Sequence, residues 1–86
     1  MVSEVQITVR YFAAARAAAG IETETLRLPP GTTIDGLVAD LGGRGHELAK
    51  ILARCSYLRD GIAVRDRTVA LSTSETVDVL PPFAGG

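Results

Sequence analysis

The amino-acid sequence predicts an α+β domain in which a mixed sheet packs on one main helix. Three observations carry this expectation. Apolar and polar residues alternate with period two in residues 4–12 and again in residues 76–80, the pattern of strands with one buried face. Between them, Ile34, Leu37, Val38 and Leu41 recur at helical spacing. Proline and glycine clusters separate these stretches rather than interrupting them.

Taken in order, Val5, Ile7, Val9 and Tyr11 alternate with Gln6, Thr8, Arg10 and Phe12, which places a first strand at residues 4–12. Residues 13–19 are alanine-rich and stop at Gly20, as a two-turn helix does when its last residue must accept a left-handed backbone. A second strand over residues 23–28 ends at Pro29-Pro30-Gly31 and forms a hairpin with the first. Thr32 or Thr33 caps the main helix, which runs to Gly42-Gly43. Leu48, Ile51 and Leu52 then mark one face of another helix over residues 45–54. Asp60-Gly61 is a tight-turn signal between two short strands, residues 56–59 and 62–64. Val69 and Leu71 read as a short extended piece, and Pro81-Pro82 ends the last strand because proline cannot donate to a sheet ladder. The first and last strands are expected to pair.

The 86 residues are 47% hydrophobic and 22% charged, which suits a single domain, expected at 1–82 with a flexible tail at 83–86. Nine Lys plus Arg face ten Asp plus Glu, for a net charge of -1, and no run of one sign supports nucleic-acid or anionic-membrane binding. The single Cys55 cannot form an internal disulfide, and no leader pattern opens the chain, so a cytoplasmic protein is expected. The apolar stretch at residues 11–19 is broken by Arg16 and is far shorter than the ~20 residues of a membrane-spanning helix.

Self-sufficient catalysis finds little support. There is one His and one Cys, with no nucleophile elbow, phosphate loop or paired metal-ligand spacing. His46 reads as a solvated helix-end residue and Cys55 as a small buried hydrophobe. The tail Phe83-Ala84-Gly85-Gly86 offers a different chemistry. An arm whose last two residues lack side chains can thread a narrow channel, and the Gly86 carboxylate becomes an acyl donor once a good leaving group such as adenylate is attached.

Three blocks of sequence carry a resemblance to a known family. They are Tyr11-Phe12-Ala13-x-x-Arg16-x-x-x-Gly20, Pro30-Gly31-Thr32-Thr33, and Val77-x-x-Leu80-Pro81-Pro82-Phe83-Ala84-Gly85-Gly86. The chain resembles the small subunit of molybdopterin synthase, a family of ubiquitin-like β-grasp proteins, over nearly its whole length. The resemblance implies a sulfur carrier that is not catalytic alone and binds no cofactor. An ATP-using, E1-like adenylyltransferase would activate Gly86, a sulfur donor protein would supply the thiocarboxylate sulfur, and the large synthase subunit would use that sulfur to convert precursor Z to molybdopterin. Gly85 and Ala84 would thread the partner's channel. The chain departs from the family at Arg59, near which an Asn is common, and at Ser72-Thr73-Ser74-Glu75, where an acidic-Gly-acidic turn is common.

Strand parity points to the same end of the molecule. Phe12 shares its face with Gln6, Thr8 and Arg10, and Leu80 shares its face with Asp78. Two large apolar residues thus face outward, and with Ile62 as a third they are expected to form an exposed patch that marks a partner surface. Phe83 joins these partner-binding residues. Arg16 either contacts the partner or solvates the short helix. Carriers for thiamine, cysteine or tRNA thiolation would share the fold and the terminal glycines, as would a ubiquitin-like protein modifier.

Overall fold

The computed structural model describes residues 4–82. Eight elements follow one another: β1 (Val5–Tyr11), α1 (Ala13–Ala19), β2 (Thr23–Leu28), α2 (Ile34–Gly42), α3 (His46–Leu52), β3 (Ser56–Arg59), β4 (Ile62–Ala63) and β5 (Glu75–Leu80). The strands form one mixed sheet in the order β2-β1-β5-β3-β4. β1 and β5 run parallel at its centre and the other neighbours are antiparallel. A parallel pair cannot be closed by a hairpin, so the chain between β1 and β5 must cross over. That crossover carries the helices onto one face.

Every second residue of β1 turns toward those helices, and Ile7, Val9 and Tyr11 are buried. Val77 and Val79 of β5, Tyr57 of β3, Leu28 of β2, Ala15 of α1, Ile34, Leu37 and Leu41 of α2, Leu48 and Leu52 of α3, and Leu71 join them in the core. Each fully buried aliphatic side chain of this kind stabilises by about 1.5–3 kcal/mol. The α2 start follows the expected chemistry: the Thr33 hydroxyl accepts the Gly36 N–H at 3.0 Å, and Asp35 lies in the positive first turn. Gly20 closes α1 at a φ of 80°, donating its N–H to the Arg16 carbonyl at 2.9 Å.

Several boundaries differ from expectation, among them β1, which spans Val5–Tyr11 and leaves Phe12 at the N-terminus of α1. α3 stops at Leu52 because the Arg54 and Cys55 N–H groups turn to the Ile51 and Leu52 carbonyls, the tighter bonding that often ends a helix. The short extended piece expected around Val69 and Leu71 is present as an isolated bridge between Ala70 and Thr33, with the Leu71 N–H donating to the Thr32 carbonyl at 2.8 Å. Its role is to bury Leu71 beneath the start of α2. β4 holds only two residues, although Val64 continues its line by donating to the Tyr57 carbonyl at 2.9 Å.

Candidate partner-binding face

The sheet face away from the helices is set by register. Across it run Thr25, Thr8 and Thr76, then Thr23, Arg10, Asp78, Leu58 and Ala63. The Phe12 N–H donates to the Val79 carbonyl at 3.2 Å, which extends the parallel ladder and sets Phe12 beside Leu80. Phe12 is 36% exposed and Leu80 half-buried, so the expected outward apolar pair is present at the end of β5. Leu58, also half-buried, extends it toward β3.

Ile62 does not belong to that pair. The Asp60-Gly61 turn has φ values of 49° and 82°, a two-residue reversal that sets Ile62 opposite Arg59. Arg59 in turn faces Val77, so Ile62 projects on the helix side of the sheet, where it is 73% exposed near Val69. A one-residue change of parity moves a side chain to the opposite face, and the turn decides that parity. The expected three-member patch is therefore a Phe12–Leu80 pair with Leu58.

Between β1 and α1 the backbone turns sharply. Ala13 takes a φ of 50°, a left-handed conformation costly for a residue with a Cβ, and Phe12 supplies no side-chain cap. A groove of about 470 Å³ follows this turn, lined by Arg10, Phe12, Arg16 and Glu22. Arg16 is thus brought near Phe12, on an exposed helix surface. Phe83, Ala84, Gly85 and Gly86 lie outside the described residues.

The polar structure of this region departs from what the sequence alone suggests. Asp78, expected to face water with Leu80, is 8% exposed because Arg10 covers it, with Nε 2.8 Å from Oδ1. The Arg10 guanidinium lies 5.2 Å from the centroid of the Phe12 ring. On the helix side, the Tyr11 hydroxyl and Arg44 Nη1 each donate to Glu24 Oε2 at 2.6 Å. Burial raises the Tyr11 phenol well above its ordinary value, and the Glu24 carboxylate adds to that rise. Both strand partners were visible as residue types, but no local pattern reveals register.

The remaining candidates behave as structural groups. The Cys55 thiol donates to the Ile51 carbonyl at 3.2 Å, and burial pushes its pKa up, only partly offset by Arg67. A protonated thiol is a poor nucleophile. His46 is exposed at the start of α3. Among the described residues no group of three or more His, Cys, Asp or Glu side chains could hold a metal ion. No helix among them is long and apolar enough to cross a membrane.

A mixed sheet grasping one main helix, with its central parallel pair formed by the first and last strands, defines a β-grasp protein of the ubiquitin kind. Residues 9–86 match the model of the ThiS family, and the chain belongs to that family. A molybdopterin synthase sulfur carrier subunit from Chlamydomonas reinhardtii is 30% identical over 82 residues, 94% of this chain and 99% of the relative. Among solved structures, a putative molybdopterin converting factor subunit 1 from Pyrococcus furiosus is similar with a TM-score of 0.82 and 25% identity, over 92% of this chain and 99% of that one. The fold is shared by the SAMP1 protein of Haloferax volcanii, with a TM-score of 0.80, 20% identity, and coverage of 94% and 99%. It is shared also in a complex of subunits 1 and 2 of the molybdopterin-converting factor from Helicobacter pylori, with a TM-score of 0.72, 20% identity, and coverage of 95% and 100%.

Proposed function

We propose that this chain is the sulfur-carrying small subunit of a molybdopterin synthase, with Gly86 as the carrier residue. The observation that carries the reading is the full-length likeness to the Chlamydomonas sulfur carrier subunit. The outward Phe12–Leu80 pair, at the point where β5 hands over to the tail, supports it.

In this reading an E1-like adenylyltransferase joins the Gly86 carboxylate to the AMP portion of ATP, releasing pyrophosphate. Sulfide sulfur from a donor protein displaces AMP and leaves a thiocarboxylate. The large synthase subunit seats the Phe12–Leu80 face, draws Ala84, Gly85 and Gly86 into its pocket, and passes the sulfur to precursor Z. Water hydrolyses the acyl–sulfur bond, which leaves the sulfur on the product and returns the chain as a carboxylate. Its own residues dock and deliver, and the reaction takes place in the partner. ATP belongs to the activating enzyme.

The likeness of fold to SAMP1 favours one second reading, a protein modifier whose Gly86 is joined to lysines of targets. A variant extended by one residue beyond Gly86 separates a working tail from an idle one. Sulfur transfer to the large subunit's substrate should vanish while the melting temperature holds, because the core of the described residues is built between Ile7 and Val79. Undiminished transfer by the extended chain would refute the assignment of Gly86.

A further inference from the structure

The outward sheet face carries a charged pair beside its apolar anchor. Arg10 and Asp78 are register partners in β1 and β5. Asp78 is 8% exposed, and its Oδ1 has no surface of its own and no aligned hydrogen bond, only the Arg10 Nε at 2.8 Å. Burying a carboxylate this far from water is costly unless a cation pairs with it, and Arg10 is that cation. Arg10 is caught between this carboxylate and the Phe12 ring, yet its side chain remains 50% exposed. Among the described residues no second acceptor meets its guanidinium, which has five N–H donors.

A protein that covers Phe12 must also cover the Arg10 guanidinium beside it. Guanidinium N–H groups taken from water without a partner are costly, whereas an oxygen acceptor placed there forms charge-assisted bonds. A wholly apolar pocket is therefore penalised, and discrimination arises from that penalty as much as from the attraction. We infer that Arg10, positioned by Asp78, is a specificity-determining residue of the Phe12–Leu80 face and selects a partner presenting an acceptor oxygen at the rim of the pocket for Phe12. The inference rests on the reading that this face docks the large synthase subunit.

The test is a binding titration of the whole chain with its large subunit, run beside a melting curve for each variant. Arg10→Gln should weaken binding at least tenfold. Asp78→Asn should weaken it several-fold in the native background and less than twofold in the Arg10→Gln background, since a positioning residue has nothing left to position. The double variant leaves no lone buried charge, so it should melt within a few degrees of the native chain and still bind at least tenfold more weakly. Binding by the folded double variant within twofold of native overturns the inference alone. Additive losses from the two single substitutions also overturn it, because Asp78 then acts independently of Arg10. Absence of binding by the unsubstituted chain overturns the partner reading, and the inference falls with it.

Discussion

The Tyr11 hydroxyl donates to Glu24 Oε2 at 2.6 Å, joining the central strand β1 to the edge strand β2 through side chains as well as through the ladder. Arg44, in the loop before α3, donates to the same oxygen, so one carboxylate ties the sheet to the helical layer. Burial is the largest single influence on Glu24 and raises its pKa, but hydrogen bonds from Arg44 and Tyr11 with the Arg44 charge outweigh it and hold the carboxyl below its ordinary value.

A folded pKa below the unfolded one means that the ionised Glu24 contributes stability above the unfolded value of about 4.3. That contribution is lost as pH falls through the folded value. Glu24→Ala should therefore cost about 1–3 kcal/mol at pH 7 and less at pH 3, because it strips the buried Tyr11 hydroxyl of its acceptor. Denaturant unfolding of both chains at the two pH values checks this.

Asp60 grips Thr76 twice. Its N–H donates to the Thr76 carbonyl and its Oδ1 accepts the Thr76 N–H, each at 2.8 Å, which fastens the β3–β4 turn to the start of β5. Asp60→Ala loses the side-chain acceptor and puts a Cβ without compensation at a φ of 49°, so a loss of about 1–2 kcal/mol is expected. Asp60→Asn keeps an acceptor and tolerates the left-handed backbone, and should melt close to the native chain.

Ala13 sits at a φ of 50° where the chain leaves β1 for α1. Glycine relieves that strain but has more freedom to lose on folding, so Ala13→Gly should be neutral or stabilising by up to about 1 kcal/mol. Ala13→Val, with its branched Cβ in a left-handed conformation, should destabilise by more than 1 kcal/mol on the same scale of strain. Thermal melts of the two variants should move apart, and a shared downward shift would show that the turn is not strained as described.

Folding and binding should separate on the outward face. Phe12→Glu should cost little stability, Leu80→Glu somewhat more because Leu80 is half-buried, and Val9→Ala or Val79→Ala about 1–4 kcal/mol because both valines are fully buried. A buried aromatic anchor at an interface is commonly worth about 2 kcal/mol or more, so Phe12→Glu should weaken association with the large subunit well over tenfold. Titration and melting curves on the same preparations decide it.

Much of the fold was legible because each element follows a local rule. The alternation through Val5, Ile7 and Val9 yields a strand, and Thr33 with Gly42-Gly43 brackets the main helix. What escaped depends on register, which no local pattern encodes. The expectation that Ile62 joins Phe12 and Leu80 fails because its parity is set across the Asp60-Gly61 turn, which strand alternation alone does not fix. The burial of Asp78 beneath Arg10 depends on the β1–β5 pairing, which the alternation of β5 alone does not show. The Tyr11–Glu24–Arg44 cluster is made of bonded pairs 13 and 20 positions apart, yet none of the three stands out from its neighbours.

If Gly86 carries sulfur, mass spectrometry of the chain incubated with its activating enzyme, ATP and a sulfur donor will read the exchange. The expected result is a gain equal to the difference between one sulfur and one oxygen, localised to the C-terminal peptide, and no gain when ATP is withheld. An unchanged mass under complete conditions, or adducts through Gly86 to lysines of other proteins in place of the sulfur gain, would contradict it.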